Sequence, residues 1–482
     1  MRITLKSFTL SILDESIRVD WSTILCNERI RPSSTDGDHR AQFERDFDRA
    51  IFSTPLKRLQ DKAQVFPLER HDAVRTRLTH SLEVSSVARG LAIAVGQWLL
   101  HEKHIERGME RSIEAIAATC GLIHDLGNPP FGHSGEDAIR EWFAARFVDA
   151  KGESTLEAFI GSTEQHAKDF LTFEGNAQSL RLVSRLQILA DPNGLNLTIG
   201  TLSAACKYLA SSTEQNKKQA FKKTGYFASE ATKIATIRKT TGTGLARNPI
   251  TYLVEAADDI VYSAADVEDG IKKRVLLWRD VKEFVEKEID DKALVKDLLE
   301  FKEKILKAGR DLPTDELPDD IHASAFRTAC IKYATDFAIE QFKANYQKIM
   351  EGNFEGELIN EADGKPFKIV RALKKLGQQV VYCTPSTLKL ELMGRKVICD
   401  LMDVFWEGAE KIGVDKKSPP KPKNFDGKIG RLFSDNYLRA FYFSVAEDEM
   451  PENYLRLQLV TDQVCGMTDT FAKTLHAELF NG

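Results

Sequence analysis

Four side chains in three separate places carry the clearest chemistry in this sequence. They are His80 in Arg77-Leu78-Thr79-His80, the adjacent pair His124-Asp125, and Asp258 in Ala256-Ala257-Asp258-Asp259. Two imidazoles and two carboxylates make a ligand set for one borderline-to-hard divalent cation. Four protein ligands leave coordination positions open for water and an anionic oxygen, the arrangement used in metal-assisted hydrolysis. Any one of these residues alone says little, since a lone helical His is more often structural. The argument rests on their setting. Asp258 falls in an otherwise apolar stripe, where an unpaired carboxylate is costly to bury and a bound cation removes the cost.

Three helices must position them. One is predicted after His80, with Val84, Val87, Leu91, Val95 and Trp98 recurring every three or four residues as one buried stripe; Thr79 or Ser81 is its expected cap. A second is predicted from about Ser112 to Leu126, with Ile113, Ile116, Cys120 and Ile123 as its stripe. It stops at Gly127-Asn128-Pro129-Pro130, because glycine permits a left-handed cap and proline cannot continue a helix. His124-Asp125 therefore belong to its last turn. A third is predicted to begin at the cap Asn248 with Pro249 in the first turn and to run to about Lys273. On it Asp258, Tyr262 and Asp266, spaced by four, share an arc of roughly 80° and can face one pocket. Beyond the Pro-Pro turn, His133 and Glu136 are three residues apart. If a helix starts there the carboxylate reaches the imidazole, and a His held by a carboxylate is a suitable proton shuttle near neutral pH.

Composition bounds the rest. The chain has 482 residues, 42% hydrophobic and 29% charged, with a net charge of -5. These values describe a globular chain with no bulk attraction to nucleic acid. The seven cysteines are irregularly spaced and form no CxxC, the pattern of reduced cytoplasmic thiols. The first residues show neither the long apolar core nor the small-residue cleavage site of a signal peptide, and no stretch approaches the roughly eighteen apolar residues of a membrane span. A Gly-Lys-Ser/Thr phosphate loop and a Gly-x-Ser-x-Gly elbow are both missing, which excludes P-loop and serine-elbow chemistry. Thr241-Gly242-Thr243-Gly244 reads as a flexible loop.

Longer strings around these residues resemble the deoxyguanosine triphosphate triphosphohydrolase family within the HD-domain superfamily. They are Glu44-Arg45-Asp46-Phe47-Asp48-Arg49, Leu56-Lys57-Arg58-Leu59, Lys62-Ala63-Gln64-Val65-Phe66, Thr76-Arg77-Leu78-Thr79-His80-Ser81-Leu82-Glu83-Val84 and Gly121-Leu122-Ile123-His124-Asp125-Leu126-Gly127-Asn128-Pro129-Pro130-Phe131-Gly132-His133. Phe173-Glu174-Gly175-Asn176-Ala177-Gln178, Glu255-Ala256-Ala257-Asp258-Asp259 and Gly466-Met467-Thr468-Asp469 extend it over most of the chain. Lys57 and Ala63 stand where the family more often has Arg and Thr, and residues 275–350 match only loosely.

The resemblance implies a set of expectations. One divalent ion per subunit (Mg, Mn or another transition metal) is held by His80, His124, Asp125 and Asp258. Asp258, not Asp259, is the ligand, because the family pattern places Tyr at +4 and Asp at +8. Tyr262 packs on the deoxyribose and Asp266 accepts from its 3'-hydroxyl. His133 serves in line at the α-phosphorus, protonating the leaving oxygen, with Glu136 orienting it. Arg77, then Lys223, then Arg58 meet the polyphosphate, while Gln64 and Asn176 are candidate contacts to base, sugar or phosphate.

The implied reaction is hydrolysis of dGTP, with other dNTPs as further candidates, to deoxynucleoside and inorganic triphosphate. The implied assembly is a homo-oligomer, commonly a hexamer, and the setting is cytoplasmic. Nucleic acid enters only as a candidate regulator. The alternatives are another HD-type nucleotide phosphohydrolase or phosphodiesterase, or a non-hydrolysing sensor of dNTP or nucleic acid.

The expected fold is all-α. An N-terminal segment (1–43) precedes an HD catalytic core (44–275), a helical extension completing the core (276–414), and a C-terminal helical region (425–482) wrapped on it after a Pro/Lys linker at 415–423. Phe367-Lys368-Ile369-Val370 and Gln379-Val380-Val381-Tyr382 read as short strands or helix ends, leaving room for a small β element near 355–395.

Overall fold

The computed structural model describes residues 19–33, 38–69, 71–161, 163–187, 191–308, 316–414 and 425–480. Its principal helices are α1 (Gln42–Ile51), α2 (Arg77–His101), α3 (Met109–Ile123), α4 (Gly132–Arg146), α5 (Gly175–Arg181), α6 (Ile199–Ala205), α7 (Pro249–Lys272), α8 (Asp319–Met350), α9 (Lys368–Leu376), α10 (Pro385–Glu410), α11 (Asp435–Glu447), α12 (Glu452–Cys465) and α13 (Asp469–Phe480). Among the described residues there is no β-strand, only isolated bridges such as Asn360 with Pro366. The fold is all-α, and the small β element expected near 355–395 is not formed. Lys368–Leu376 is helical and runs into a π-helical turn, Gly377–Val381. The apolar residues there recur at helical spacing: Ile369, Val370, Leu373 and Leu376 all face the core. The Pro/Lys linker expected at 415–423 lies outside the described residues.

Two apolar clusters organise the chain. One gathers α2, the first part of α3, α7, α8 and α9. The other gathers α4, α5 and α6 with α10, α11 and α12. The metal-type residues fall where these clusters meet. α2 and α3 lie against each other at close range: a Cβ on Gly121 would stand 2.8 Å from the Ser85 Cα. Only a glycine permits that approach, and Ser85 Oγ seals it by donating to the Ala118 carbonyl (2.8 Å). α7 crosses this pair and is buried along nearly its whole length, which explains why its sequence is apolar on more than one face.

The helix starts correct one expectation. α2 is capped by Thr76, not by Thr79 or Ser81. Thr76 and Thr79 cap each other reciprocally, Thr76 Oγ1 accepting from Thr79 N and Thr79 Oγ1 from Thr76 N (3.0 Å). Arg77 is thus already helical and lies one turn before His80, on the same face. α7 begins as expected, with Asn248 accepting from Ile250 N and Pro249 at its first position.

Candidate metal centre and its surroundings

The start of one helix, the end of a second and the middle of a third converge on one point. His80 occupies the first turn of α2, His124 and Asp125 the turn that ends α3, and Asp258 the middle of α7. Donor atoms of His80, His124 and Asp125 all lie within 4.8 Å of one another. Asp258 Oδ1 is 3.2 Å from His80 Nε2 and 3.6 Å from His124 Nε2. His124 Nε2 is 3.5 Å from Asp125 Oδ2.

Supporting contacts aim these groups. His124 Nδ1 lies 2.7 Å from the Gly121 carbonyl, which fixes that nitrogen as the protonated one and turns Nε2 toward the cluster. Asn128 Nδ2 donates to Asp125 Oδ1 (2.8 Å). Ser179 on α5 donates to the His124 carbonyl (3.0 Å) and accepts from Gly127 N (2.8 Å), pinning the turn.

The donor set fits a divalent cation. His124 Nε2 is buried and has no hydrogen-bond partner, an expensive arrangement unless the atom is used as a ligand. Burial opposes ionisation of Asp258, yet His124, His80 and Lys207 hold its pKa well below the ordinary carboxylate value. Asp125 is likewise held down by His124 and Arg77 against its burial. Burial disfavours the His80 imidazolium, but Asp258 reverses that and raises its pKa. Both carboxylates are thus held toward their ionised form, the form in which carboxylates bind a cation.

Asp258 and its neighbour separate cleanly. Asp259 accepts from Lys374 Nζ (2.7 Å), away from the imidazoles. Asp266, two turns along from Asp258, accepts from the Tyr382 hydroxyl through Oδ2 (2.5 Å), while its buried Oδ1 has no partner. Burial pushes its pKa up to about 7. Tyr262 stacks on Tyr382, the rings 6.4 Å apart and 18° from parallel.

On the other side of the cluster, α4 starts at Gly132, which places His133 and Glu136 one turn apart. Their side chains meet through Nδ1 and Oε2 at 3.2 Å. Glu136 is buried and also accepts from Gly175 N (2.8 Å), so its position is fixed by α5. His133 is 89% exposed; its hydrogen bond to the Glu136 carboxylate raises its pKa.

The basic and amide candidates divide. Arg77 donates through Nη1 to Asp125 Oδ2 (2.5 Å) and through Nε to the Ala63 carbonyl (3.1 Å). Lys223 pairs with Glu174 (3.0 Å), and Asn176 donates to the same carboxylate (2.7 Å). Asn176 lines the cleft beside His124 and Asp258. Gln64 adjoins the Arg77 contact at Ala63, with its Oε1 buried and unpartnered. Arg58 is not brought to this group. Its Nη1 donates to the Tyr437 hydroxyl (3.1 Å) and the Gly466 carbonyl (2.9 Å), and it lines a separate cavity with Arg49 and Phe52. A short helix, Thr54–Arg58, turns its side chain toward α11 and the end of α12.

Sequence reasoning missed three residues. Lys207 Nζ lies 3.6 Å from Asp258 Oδ2 and lines the cleft; a lysine two residues past the small-residue helix α6 was the available signal. Glu174 holds Lys223 and Asn176 together, although it stands inside a string already singled out. Tyr382 was read as part of a strand or helix end, and no local pattern links it to Asp266, 116 residues away.

Comparisons with known proteins show the family. Residues 77–186 match the HD domain family, a span that contains His80, His124, Asp125, His133 and Glu136 but not Asp258. A deoxyguanosinetriphosphate triphosphohydrolase-like protein of Listeria innocua is 39% identical over 95% of this chain and 99% of its own length. One from Synechocystis sp. is 30% identical over 96% and 99%. A protein of Klebsiella pneumoniae named deoxyguanosinetriphosphate triphosphohydrolase is 30% identical over 91% and 93%.

Proposed function

The chain belongs to the deoxyguanosinetriphosphate triphosphohydrolase-like family of HD-domain hydrolases, and from that premise we propose that it hydrolyses a deoxynucleoside triphosphate, dGTP foremost, to deoxynucleoside and inorganic triphosphate by water attack at the α-phosphorus. One observation carries the reading. Four metal-type residues are joined by close contacts to one another, to Arg77 and to Lys207, and the carboxylate-held imidazole of His133 follows Gly132, which lies beside the Arg77 guanidinium, although these groups come from segments spread across residues 77 to 258.

His80, His124, Asp125 and Asp258 would hold a divalent ion, which would supply Lewis-acid polarisation of the phosphate and a more acidic water. The protein groups do the rest. Arg77, Lys207 and Lys223 offset the polyphosphate charge, which the net charge of -5 does not. Glu136 holds His133 by Nδ1, leaving Nε2 to deliver a proton to the departing nucleoside oxygen. The unpartnered Oδ1 of Asp266 is a ready acceptor for a 3'-hydroxyl. Tyr262, backed by Tyr382, packs on the sugar and leaves a 2'-hydroxyl unpaired or clashing. We expect assembly into a homo-oligomer, which light scattering on the purified protein measures.

The test is product identity. Each dNTP and GTP is incubated with the protein in Mg and in Mn, and products are separated by ion exchange. Deoxynucleoside with intact triphosphate supports the reading. Monophosphate with pyrophosphate moves the protein to another branch of HD chemistry, and binding without turnover would make it a sensor.

A further inference from the structure

The string Gly466-Met467-Thr468-Asp469 has no part in the mechanism above, yet its Asp is one of the most deeply buried carboxylates of the chain, 1% exposed. Its two oxygens go to two different loops. Asp469 Oδ1 accepts from Phe131 N and Oδ2 from Ala63 N, both at 2.9 Å. Each loop leads directly to a residue of the proposed site. Ala63 turns its carbonyl to Arg77 Nε (3.1 Å). Phe131 is two residues before His133 and forms the N-terminal boundary of α4.

Phe131 also needs holding. Its φ of 63° lies in the left-handed region, which a bulky side chain rarely adopts and which persists only where surroundings enforce it. Two contacts enforce it here. The backbone N–H is taken by Asp469, and the ring sits against α10 at Gly394, where a Cβ would come within 2.6 Å of the ring. Lys62 reinforces the same junction by donating to the Asn128 carbonyl (2.6 Å) and to the Cys465 carbonyl (2.7 Å).

We propose that Asp469 is a positioning residue of the active site: by accepting from Phe131 N and Ala63 N at once, it fixes the strained turn that aims His133 and the loop that backs Arg77. The C-terminal helix pair α12–α13 is thereby a structural part of a site whose proposed reacting groups all lie at residue 266 or earlier. This rests on the role given to His133 above.

Asp469→Asn keeps the shape but leaves one acceptor for two donors, and Asp469→Ala removes both. The expected result is a fall in kcat of about 10- to 100-fold for Asp469→Ala, the scale of a small misplacement of a reacting group. A smaller fall is expected for Asp469→Asn, with KM and bound metal nearly unchanged. In a His133→Ala background the Asp469 substitution is expected to cost clearly less than it does alone, because one of the two groups it positions is gone and only the share acting through Arg77 remains. Amide exchange should rise in peptides covering 126–134 and 60–66 and not along α7.

A loss that appears in metal content, or that multiplies undiminished in the His133→Ala background, overturns the proposal; so does unchanged exchange. If Asp469→Ala does not fold, Asp469→Asn decides by the same criteria. The exchange result judges the anchor even if the wild-type protein turns over no dNTP, an outcome that would sink the proposed reaction instead.

Discussion

Two of the histidine–carboxylate contacts in this molecule look alike on paper and are built in opposite ways. His80 meets Asp258 across 178 residues of sequence, with its imidazole 1% exposed. His133 meets Glu136 across a single helical turn, and its imidazole is 89% exposed. The first is locked between α2, α3 and α7. The second stands at the start of α4, with only its carboxylate partner buried. A fixed ion needs donors whose geometry does not relax, so its ligands are best carried by packed helices. A proton carrier must meet a ligand that comes and goes, so it is exposed and is aimed by one buried acid.

Breaking the buried contact should have the largest effect. Asp258→Ala is expected to abolish metal retention and to lower turnover by about 10³-fold or more, several kcal/mol of transition-state stabilisation. Elemental analysis and a turnover assay check both. The same variant should lose the rise in melting temperature that added Mn gives the wild-type protein, a stabilisation of about 2.7 kcal/mol at a hundredfold excess over Kd. Asp259→Asn is the control: it faces Lys374 and should leave metal content intact. If Asp259→Asn loses the metal and Asp258→Ala keeps it, the ligand assignment is wrong.

His133→Ala comes next. A loss of about 10²- to 10³-fold in kcat with full metal content would separate the exposed contact from the buried one. An equal loss of metal would erase the distinction.

Glu136→Gln sharpens it by pH. The carboxylate raises the pKa of His133, so it keeps the imidazole protonated to higher pH. Activity that needs the acid form falls as pH rises through that pKa. Without the carboxylate charge the pKa drops, and the alkaline limb of kcat/KM should move to lower pH. A limb that stays in place would give the proton to another group.

Tyr382→Phe should be the mildest. It removes one hydrogen bond to Asp266, worth about 1 kcal/mol, and is expected to raise KM for the deoxynucleotide several-fold with little change in kcat.

The parts of this design that were legible in sequence are those written in short-range patterns. The stripe of α2, the Pro-Pro stop after His124-Asp125 and the Asn248-Pro249 start each express a local preference of the backbone, and each is found within a few residues of its expected place. The i, i+4, i+8 spacing put Asp258 and Asp266 on one side of α7 for the same reason. Arg58 shows the limit. It stands in one of the family-like strings, yet the five-residue helix Thr54–Arg58 sends it to Tyr437, because a string does not state the direction of a side chain. Strand signals near residues 367–382 failed because short apolar runs fit a buried helix equally well.

The sequence by itself determined the all-α character, the identity of the four metal-type residues and the His133–Glu136 pair, since residue type and helical period are local properties. Tertiary structure alone decided that Lys207 faces Asp258, that Tyr382 serves Asp266, and that Asp469 ties the turn before His133 to the loop behind Arg77. The nearest of these pairs is separated by 51 residues, and the contact with Phe131 spans 338. No local rule couples positions so far apart; they meet only when apolar burial packs the helices and brings these polar groups within reach of partners from other segments.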